Sequence, residues 1–468
     1  MKRARLLATA AVLVLLAGGA VAAGTRDAPP SAPRYVTDDQ GRALILHGFN
    51  TAGSAKGAPD ALPELTPDDI DREYRDMGTN FVRFLIQWRA VEPSPGTYDM
   101  KYLDKVAERV RWYSDRGYQV MLDMHQDLWG NAITPTGVAG NGAPAWATHT
   151  DGLPVATEQF TWEMYYLEPG VIRAFDHFWN TTGDHPDLMD RYAKAWAAVA
   201  ARFKDVPGVL GYDLMNEPWG GSVQGAAFET GPLATLYRKT IARIREVDPD
   251  GWIFLEPQAV GVNWGLPSAL PRFDDPRGGP PRIAFAPHLY PLPLDLGDDY
   301  AADSKEWTDR TLGWWRENIA RTAERMRAPV LLGEFGLDMT RPGASDLVKK
   351  VQGLSDQAGT GMAYWSRDAD AWGPYDAKGK ATPLPGVYVR AYPRAIGGVP
   401  VSVTYGENRL QVAFDANETG PTEIYVPERG FPNGAQVDGG TAVWNAARRI
   451  LTVTTKTSGR VILTVTPK

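Results

Sequence analysis

Glu217 and Glu334 each close an apolar run, the first in "VLGYDLMNEPWGG" (209–221) and the second in "PVLLGEFG" (329–336). A carboxylate in such a place is costly unless it is paired or used. Two of them flanking a sugar linkage can break a glycosidic bond. One carries a proton for the leaving oxygen, and the other stays ionised to attack or to activate water. Neighbouring residue types fit that chemistry. Arg83 in "VRFLI" is placed to hold Glu334 ionised, and Asn216 to hydrogen-bond a sugar 2-hydroxyl. His125 in "DMHQD", and His288 with Tyr290 in "PHLY", follow further apolar runs. Trp365 offers an aromatic platform beneath a sugar ring. Other chemistries find little support, since the six histidines form no His-Glu-x-x-His and no Gly-x-Ser-x-Gly occurs. Neither a catalytic metal nor a cofactor is expected.

The elements that must carry these residues read as eight strand-then-helix units. Candidate strands are 43–49, 80–86, 118–124, 209–215, 252–256, 282–288, 329–335 and 361–366, with helical patterns such as 102–117, 188–204 and 233–248 between them. This alternation predicts an α/β fold, a (β/α)8 TIM barrel over residues 41–395. Chemistry in that fold sits at the C-terminal strand ends, where Glu217 and Glu334 fall. Glu108 and Glu246 lie instead on helical stretches, as solvated faces. A doubly wound sheet is the competitor, but no Gly-x-Gly-x-x-Gly follows the first strand, and "HGFNTAGSAKG" has the wrong spacing for a nucleotide. From 396 to 468, short runs of alternating β-branched residues predict a C-terminal all-β sandwich. Its expected role is structural, with only Tyr405, Tyr425, Phe431 and Trp444 on offer to a carbohydrate.

The N-terminus carries a basic head (Lys2, Arg3, Arg5), an apolar run from Leu6 to Leu16 and the small residues Ala20-Val21-Ala22. That pattern predicts a signal peptide over 1–23, a flexible leader over 24–40 and a secreted protein. A membrane anchor is the competing reading, because Leu6 to Ala23 is almost long enough to span. The chain has no cysteine, which removes disulfides, thiolate chemistry and a cysteine-borne lipid anchor. A formal charge of -7 argues against a dedicated nucleic-acid partner.

Taken together, these residues resemble glycoside hydrolase family five, whose Asn-Glu-Pro hallmark stands here as Asn216-Glu217-Pro218. The resemblance implies Glu217 as acid/base, Glu334 as nucleophile, a covalent glycosyl intermediate and retention at the anomeric carbon. A narrower similarity, to the endoglycoceramidases, rests on "HGFNTAGSAKG", "VRFLIQWRAVEPSPGTYD", "LDMHQDLWG", "NEPWGG" and "LLGEFG", followed by the C-terminal sandwich. It spans roughly residues 41–468 and implies a glycosphingolipid substrate, met in micelles or at membrane surfaces, whose glycan is released from ceramide. It also implies that Lys56 and Asp127 bind the sugar next to ceramide.

One further segment bears on a lipid leaving group. Residues 128–181 form a connection far longer than a usual βα loop and carry nine aromatics, among them Trp129, Trp146, Phe160, Trp162 and Tyr166. They read either as the wall of an apolar groove or as a satellite core under a long loop. "HLYPLPLD" (288–295) is a second lip candidate. Rival activities with the same carboxylates are an endo-β-glucanase, a β-glucosidase and, remotely, a non-catalytic glycolipid binder. The glucosyl or galactosyl preference stays open, with "YWSRDADAWG" (364–373) the segment to watch. A monomer without an obligatory protein partner is expected.

Overall fold

The computed structural model describes residues 34–51, 53–133, 140–159, 161–358 and 361–468. The expected signal peptide and most of the leader fall outside the described residues.

Eight parallel strands close a barrel: β2 (His47–Asn50), β3 (Phe81–Ile86), β4 (Gln119–Met124), β5 (Val209–Asp213), β6 (Trp252–Leu255), β7 (Ile283–Phe285), β8 (Leu331–Phe335) and β9 (Gly361–Tyr364). Their order is β7-β6-β5-β4-β3-β2-β9-β8, and the parallel bridges Phe285↔Val330 and His288↔Glu334 join the two ends. That closure rules out the doubly wound alternative. The strands read as near-continuous apolar runs because helices cover one face and the barrel interior the other. Every residue of Phe81–Ile86 is buried, Arg83 included.

Helix Pro67–Met77 shows how the sequence sets the connections. Thr66 accepts from the Asp69 amide while the Asp69 carboxylate accepts from the Thr66 amide, a reciprocal cap, and Pro67 opens the first turn. Gly78 ends the helix at φ 64°. A Cβ there would stand 1.9 Å from the Tyr425 ring, so glycine is required both by the backbone and by the C-terminal domain packed against it.

The first predicted strand, 43–49, is divided between two sheets. β1 (Ala43–Leu44) pairs antiparallel with β10 (Tyr392–Ile396), and only His47–Asn50 enters the barrel. Ile45 joins the C-terminal core, whereas Leu44 and Leu46 join a cluster with Phe81, Met121, Leu210 and Trp252. An unbroken apolar run hides this division because both of its partners are apolar. The barrel also hands over earlier than residue 395, since Tyr392–Ile396 is already a strand of the second domain.

That domain comprises two antiparallel sheets. β10 lies beside β1 and β13 (Thr422–Tyr425), followed by β16 (Ile450–Thr454) and β15 (Thr441–Asn445). The other sheet runs β11-β12-β17-β14, from Gly398–Gly406, Arg409–Ala416, Gly459–Pro467 and Ala435–Asp438. Tyr392 donates to the Gly78 carbonyl at 2.9 Å and Arg394 to the Gly117 carbonyl at 2.9 Å. Both carbonyls precede barrel strands, so the sandwich covers the N-terminal end of the barrel, away from the C-terminal strand ends. Tyr425 and Phe431 are buried in its core.

Candidate active site

Arg83 rises from β3 into the barrel and is fully buried. Its Nε donates to Asp213 Oδ2 at 2.8 Å, Nη1 to Asn50 Oδ1 at 3.0 Å and Glu334 Oε1 at 2.6 Å, and Nη2 to Asn216 Oδ1 at 3.0 Å and Glu256 Oε1 at 2.8 Å. Asp123 Oδ1 lies 2.9 Å from Nη2. A planar guanidinium, always charged, can bind this many oxygens at once, which a lysine cannot. Burial and the neighbouring Glu256 push the Asp213 carboxyl well above its ordinary range, against the pull of Arg83. Against the effect of burial, His288 and Arg83 hold Glu256 below the ordinary range.

Glu217 follows β5 in the left-handed region, at φ 43°, a conformation few non-glycine residues adopt. Its amide donates to Glu256 Oε2 at 2.8 Å, and Gln126 Nε2 binds the Asn216 and Glu217 carbonyls at 2.8 and 3.0 Å. The turn is thus tied to two other strand ends. Asn263 Nδ2 donates to Glu217 Oε1 at 2.8 Å, and His288 Nδ1 contacts the same oxygen at 3.0 Å. Burial raises the Glu217 carboxyl, with His288 pulling the other way. Burial opposes charge on His288 itself, but Glu256 and Glu334 raise it well above the ordinary imidazole value.

Glu334, from β8, takes Arg83 on Oε1 and the Tyr290 hydroxyl on Oε2 at 2.9 Å. A carboxylate oxygen of Glu217 and one of Glu334 lie within 4.8 Å of each other. Paired carboxyls of retaining glycosidases stand about 5–5.5 Å apart, and those of inverting ones about 6.5–9.5 Å. The pair belongs to the closer class.

Both glutamates open into a cavity of about 370 Å3. On one side, Lys56 Nζ sits 2.8 Å from Asp127 Oδ2 and 4.2 Å from the centroid of the Trp365 ring. Against its burial, Asp127 and Glu334 raise the Lys56 ammonium, and Lys56 and His125 depress the Asp127 carboxyl, which burial alone would raise. His125 lies between Asp123 and Asp127, with Nδ1 2.7 Å from Asp123 Oδ2 and Nε2 3.3 Å from Asp127 Oδ2. Asn216 Nδ2 binds the Gln126 carbonyl at 3.0 Å, which leaves one amide hydrogen for a ligand. Trp372 also lines the cavity. Next to Glu217 lie Trp264, which follows Asn263, and Asp295, and Trp162, Tyr166 and Val260 complete the lining. There the Trp264 indole donates to Asp295 at 2.9 Å, and burial with the nearby Glu163 raises the Asp295 carboxyl well above its ordinary value.

All ten residues singled out from the sequence converge here. Glu217, Glu334, Lys56, His125, Asp127, Asn216, Tyr290 and Trp365 line the cavity, while Arg83 and His288 lie buried beneath it. Missed were Asn50, Asp123, Asp213, Glu256 and Asn263. Asn50 and Glu256 stand at barrel strand ends, where the test applied to Glu217 and Glu334 would have found them, whereas Asp123 and Asp213 lie within predicted strands. The long segment divides by position. Trp129, Phe175, Phe178 and Trp179 are buried core, Trp129 packing 4.5 Å from Phe178 by centroid, whereas Trp162 and Tyr166 reach the cavity. Phe160 lies outside the described residues. Leu292–Asp295 of the second lip forms a short helix that brings Asp295 to the cavity.

A closed (β/α)8 barrel with two glutamates at the ends of its fourth and seventh strands, set within retaining distance, is a glycoside hydrolase site. Residues 37–371 match the family model "Cellulase (glycosyl hydrolase family 5)" and 390–466 match "Glycoside hydrolase family 5 C-terminal domain"; the chain belongs to glycoside hydrolase family 5. Among characterised proteins it is similar to endoglycoceramidase I of Rhodococcus hoagii, 30% identical over 92% of this chain and 86% of that one. Among solved structures it is similar to endo-glycoceramidase II from Rhodococcus sp. in its ganglioside GM3 complex, 55% identical with a TM-score of 0.91, over 93% of this chain and 100% of that one. A lactosyl-enzyme intermediate of the same Rhodococcus protein is 54% identical to this chain, with a TM-score of 0.89, over 93% and 100% of the two chains.

Proposed function

We propose that this glycoside hydrolase is a secreted, retaining endo-β-glycosidase that cuts the bond between the glycan and the ceramide of glycosphingolipids. The observation that carries the reading is the carboxylate pair and its unequal surroundings. Glu334, with Arg83 on one oxygen and Tyr290 on the other, is held ready as the nucleophile. It attacks the anomeric carbon and forms the glycosyl-enzyme as the bond to ceramide breaks. Glu217, raised by burial, supplies the proton to the ceramide oxygen. Asn263 and His288 both address Glu217 Oε1, so the acidic proton belongs on Oε2. After ceramide leaves, the ionised Glu217 takes a proton from water, which attacks the same carbon and frees Glu334. The glycan lies over Lys56, Asp127 and Trp365, and the one free Asn216 amide hydrogen meets the sugar 2-hydroxyl.

The endoglycoceramidase relatives support the ceramide leaving group, and the lactosyl-enzyme of one of them supports the covalent step. Incubation with a glycosphingolipid panel and with soluble β-glucans tests the reading. Release of intact oligosaccharide together with ceramide is expected, with β-configured product in the first turnovers. Cleavage confined to soluble glucans, or an α-configured first product, overturns it. Export is tested separately, by N-terminal sequencing of protein recovered outside the cell, with the mature chain expected to begin near residue 24.

A further inference from the structure

Thirteen of the sixteen tryptophans are buried or half-buried, and three are exposed: Trp162, Trp307 and Trp314. Trp162 is 38% exposed and lines the cavity into which Glu217 opens. Trp307 and Trp314 are 38% and 50% exposed. Both stand on helix Ala302–Met326, which follows β7 and therefore begins at the mouth. Seven residues apart, they share one stripe of that helix. The stripe borders the mouth directly, because a Cβ on Gly265 would lie 3.4 Å from Trp314 Cβ, and the preceding Trp264 lines the cavity. Charges beside Trp307 compensate one another: Arg310 pairs with Glu306 at 2.6 Å, and Asp309 with Lys350 at 2.5 Å.

An indole has a large apolar ring and a single N–H donor, and it gains most where hydrocarbon meets polar headgroups. Ceramide is held by its two chains in such an interface, so the side of the mouth that receives it must come up to the lipid. We infer that Trp307 and Trp314, continuous with Trp162 at the mouth, seat the enzyme on a zwitterionic lipid surface with its leaving-group side down. The compensated charges around Trp307 and the overall charge of -7 provide no electrostatic attraction to anionic lipid, which leaves the aromatic rings as the contact. This surface rests on the ceramide reading for its purpose, but its binding is measured without turnover.

The test compares wild type with the double variant Trp307→Ser/Trp314→Ser on phosphatidylcholine vesicles with and without lactosylceramide. Partition onto either vesicle is expected to fall about tenfold in the variant, with hydrolysis of vesicle-borne lactosylceramide falling by a similar factor at low lipid. Hydrolysis of a soluble aryl lactoside is expected to stay unchanged. Equal partition of the two proteins overturns the proposal, as does equal loss on the soluble lactoside. So does wild-type binding seen only on phosphatidylserine vesicles, or a wild-type dimer that the substitutions dissolve. Wild type that partitions onto vesicles yet releases no ceramide leaves the surface standing and refutes the ceramide reading instead.

Discussion

Arg83 Nη1 meets Glu334 Oε1 at 2.6 Å, and it is the closest of the contacts by which one buried guanidinium joins five strand ends. The same group therefore ties the barrel strands together and fixes one oxygen of Glu334. Arg83→Lys keeps the charge but serves only part of the ring. The uncompensated carboxylates are expected to cost about 3–5 kcal/mol, read from denaturant midpoints, with turnover lost alongside. A variant of wild-type stability would show that the ring contributes little beyond its net charge.

The roles of the two glutamates separate by chemical rescue. Glu217→Ala is expected to lose on the order of 10²–10⁴-fold on lactosylceramide but far less on an aryl lactoside whose leaving group needs no proton. With azide it should yield the β-glycosyl azide, and Glu334→Ala the α-glycosyl azide, both read by NMR. The opposite stereochemistry would exchange the assignments.

The alkaline limb of the pH profile reports Glu217. Its raised carboxyl keeps the proton above the ordinary glutamate range, and kcat/KM falls as pH rises through that value. Asn263 donates to Oε1 and favours the ionised form. Removing that bond in Asn263→Ala should move the limb upward by about 0.5–1 pH unit. A limb that stays in place would show that Asn263 does not tune the acid.

Acid stability reports Lys56 and Asp127. The Asp127 carboxyl is depressed in the folded protein, so its contribution is complete above the unfolded aspartate value of about 3.9 and is lost as pH falls toward the folded value. Lys56→Met weakens that depression. Between about pH 5 and 3 the variant should lose roughly 1 kcal/mol less than wild type, measured by denaturant titration. Parallel loss in both proteins would show that the Lys56 pair does not set Asp127. The same variant should raise KM for lactosylceramide, because the ammonium lines the sugar side of the cavity.

The meeting of Glu217 and Glu334 at the barrel mouth was legible in the sequence because both end apolar runs, and the barrel because eight such runs alternate with amphipathic ones. Arg83 was legible as a partner of Glu334, but its ring was not. Asp123 and Asp213 sit inside runs that read as plain buried strand, and which carboxylates meet is decided by strand neighbours that sequence order does not state. Asn263 belongs to an irregular stretch after β6, where no periodicity points a side chain. In residues 128–181 composition showed only that aromatics were plentiful. Position along the chain then sorted them, Trp129 and Phe178 into core and Trp162 to the mouth.

The pairing of Ala43–Leu44 with Tyr392–Ile396 has a consequence for how the molecule is made. A strand near the start of the described chain waits for one that leaves the ribosome only after the whole barrel has been synthesised. Until then Ala43 and Ile45 have no cover on the sandwich side, and assembly of this end is a late, long-range event. The same clasp holds the finished protein. A protease nick between Tyr388 and Tyr392 would cut the covalent link while leaving the early strand woven into the late sheet, so the two fragments should stay together until denatured.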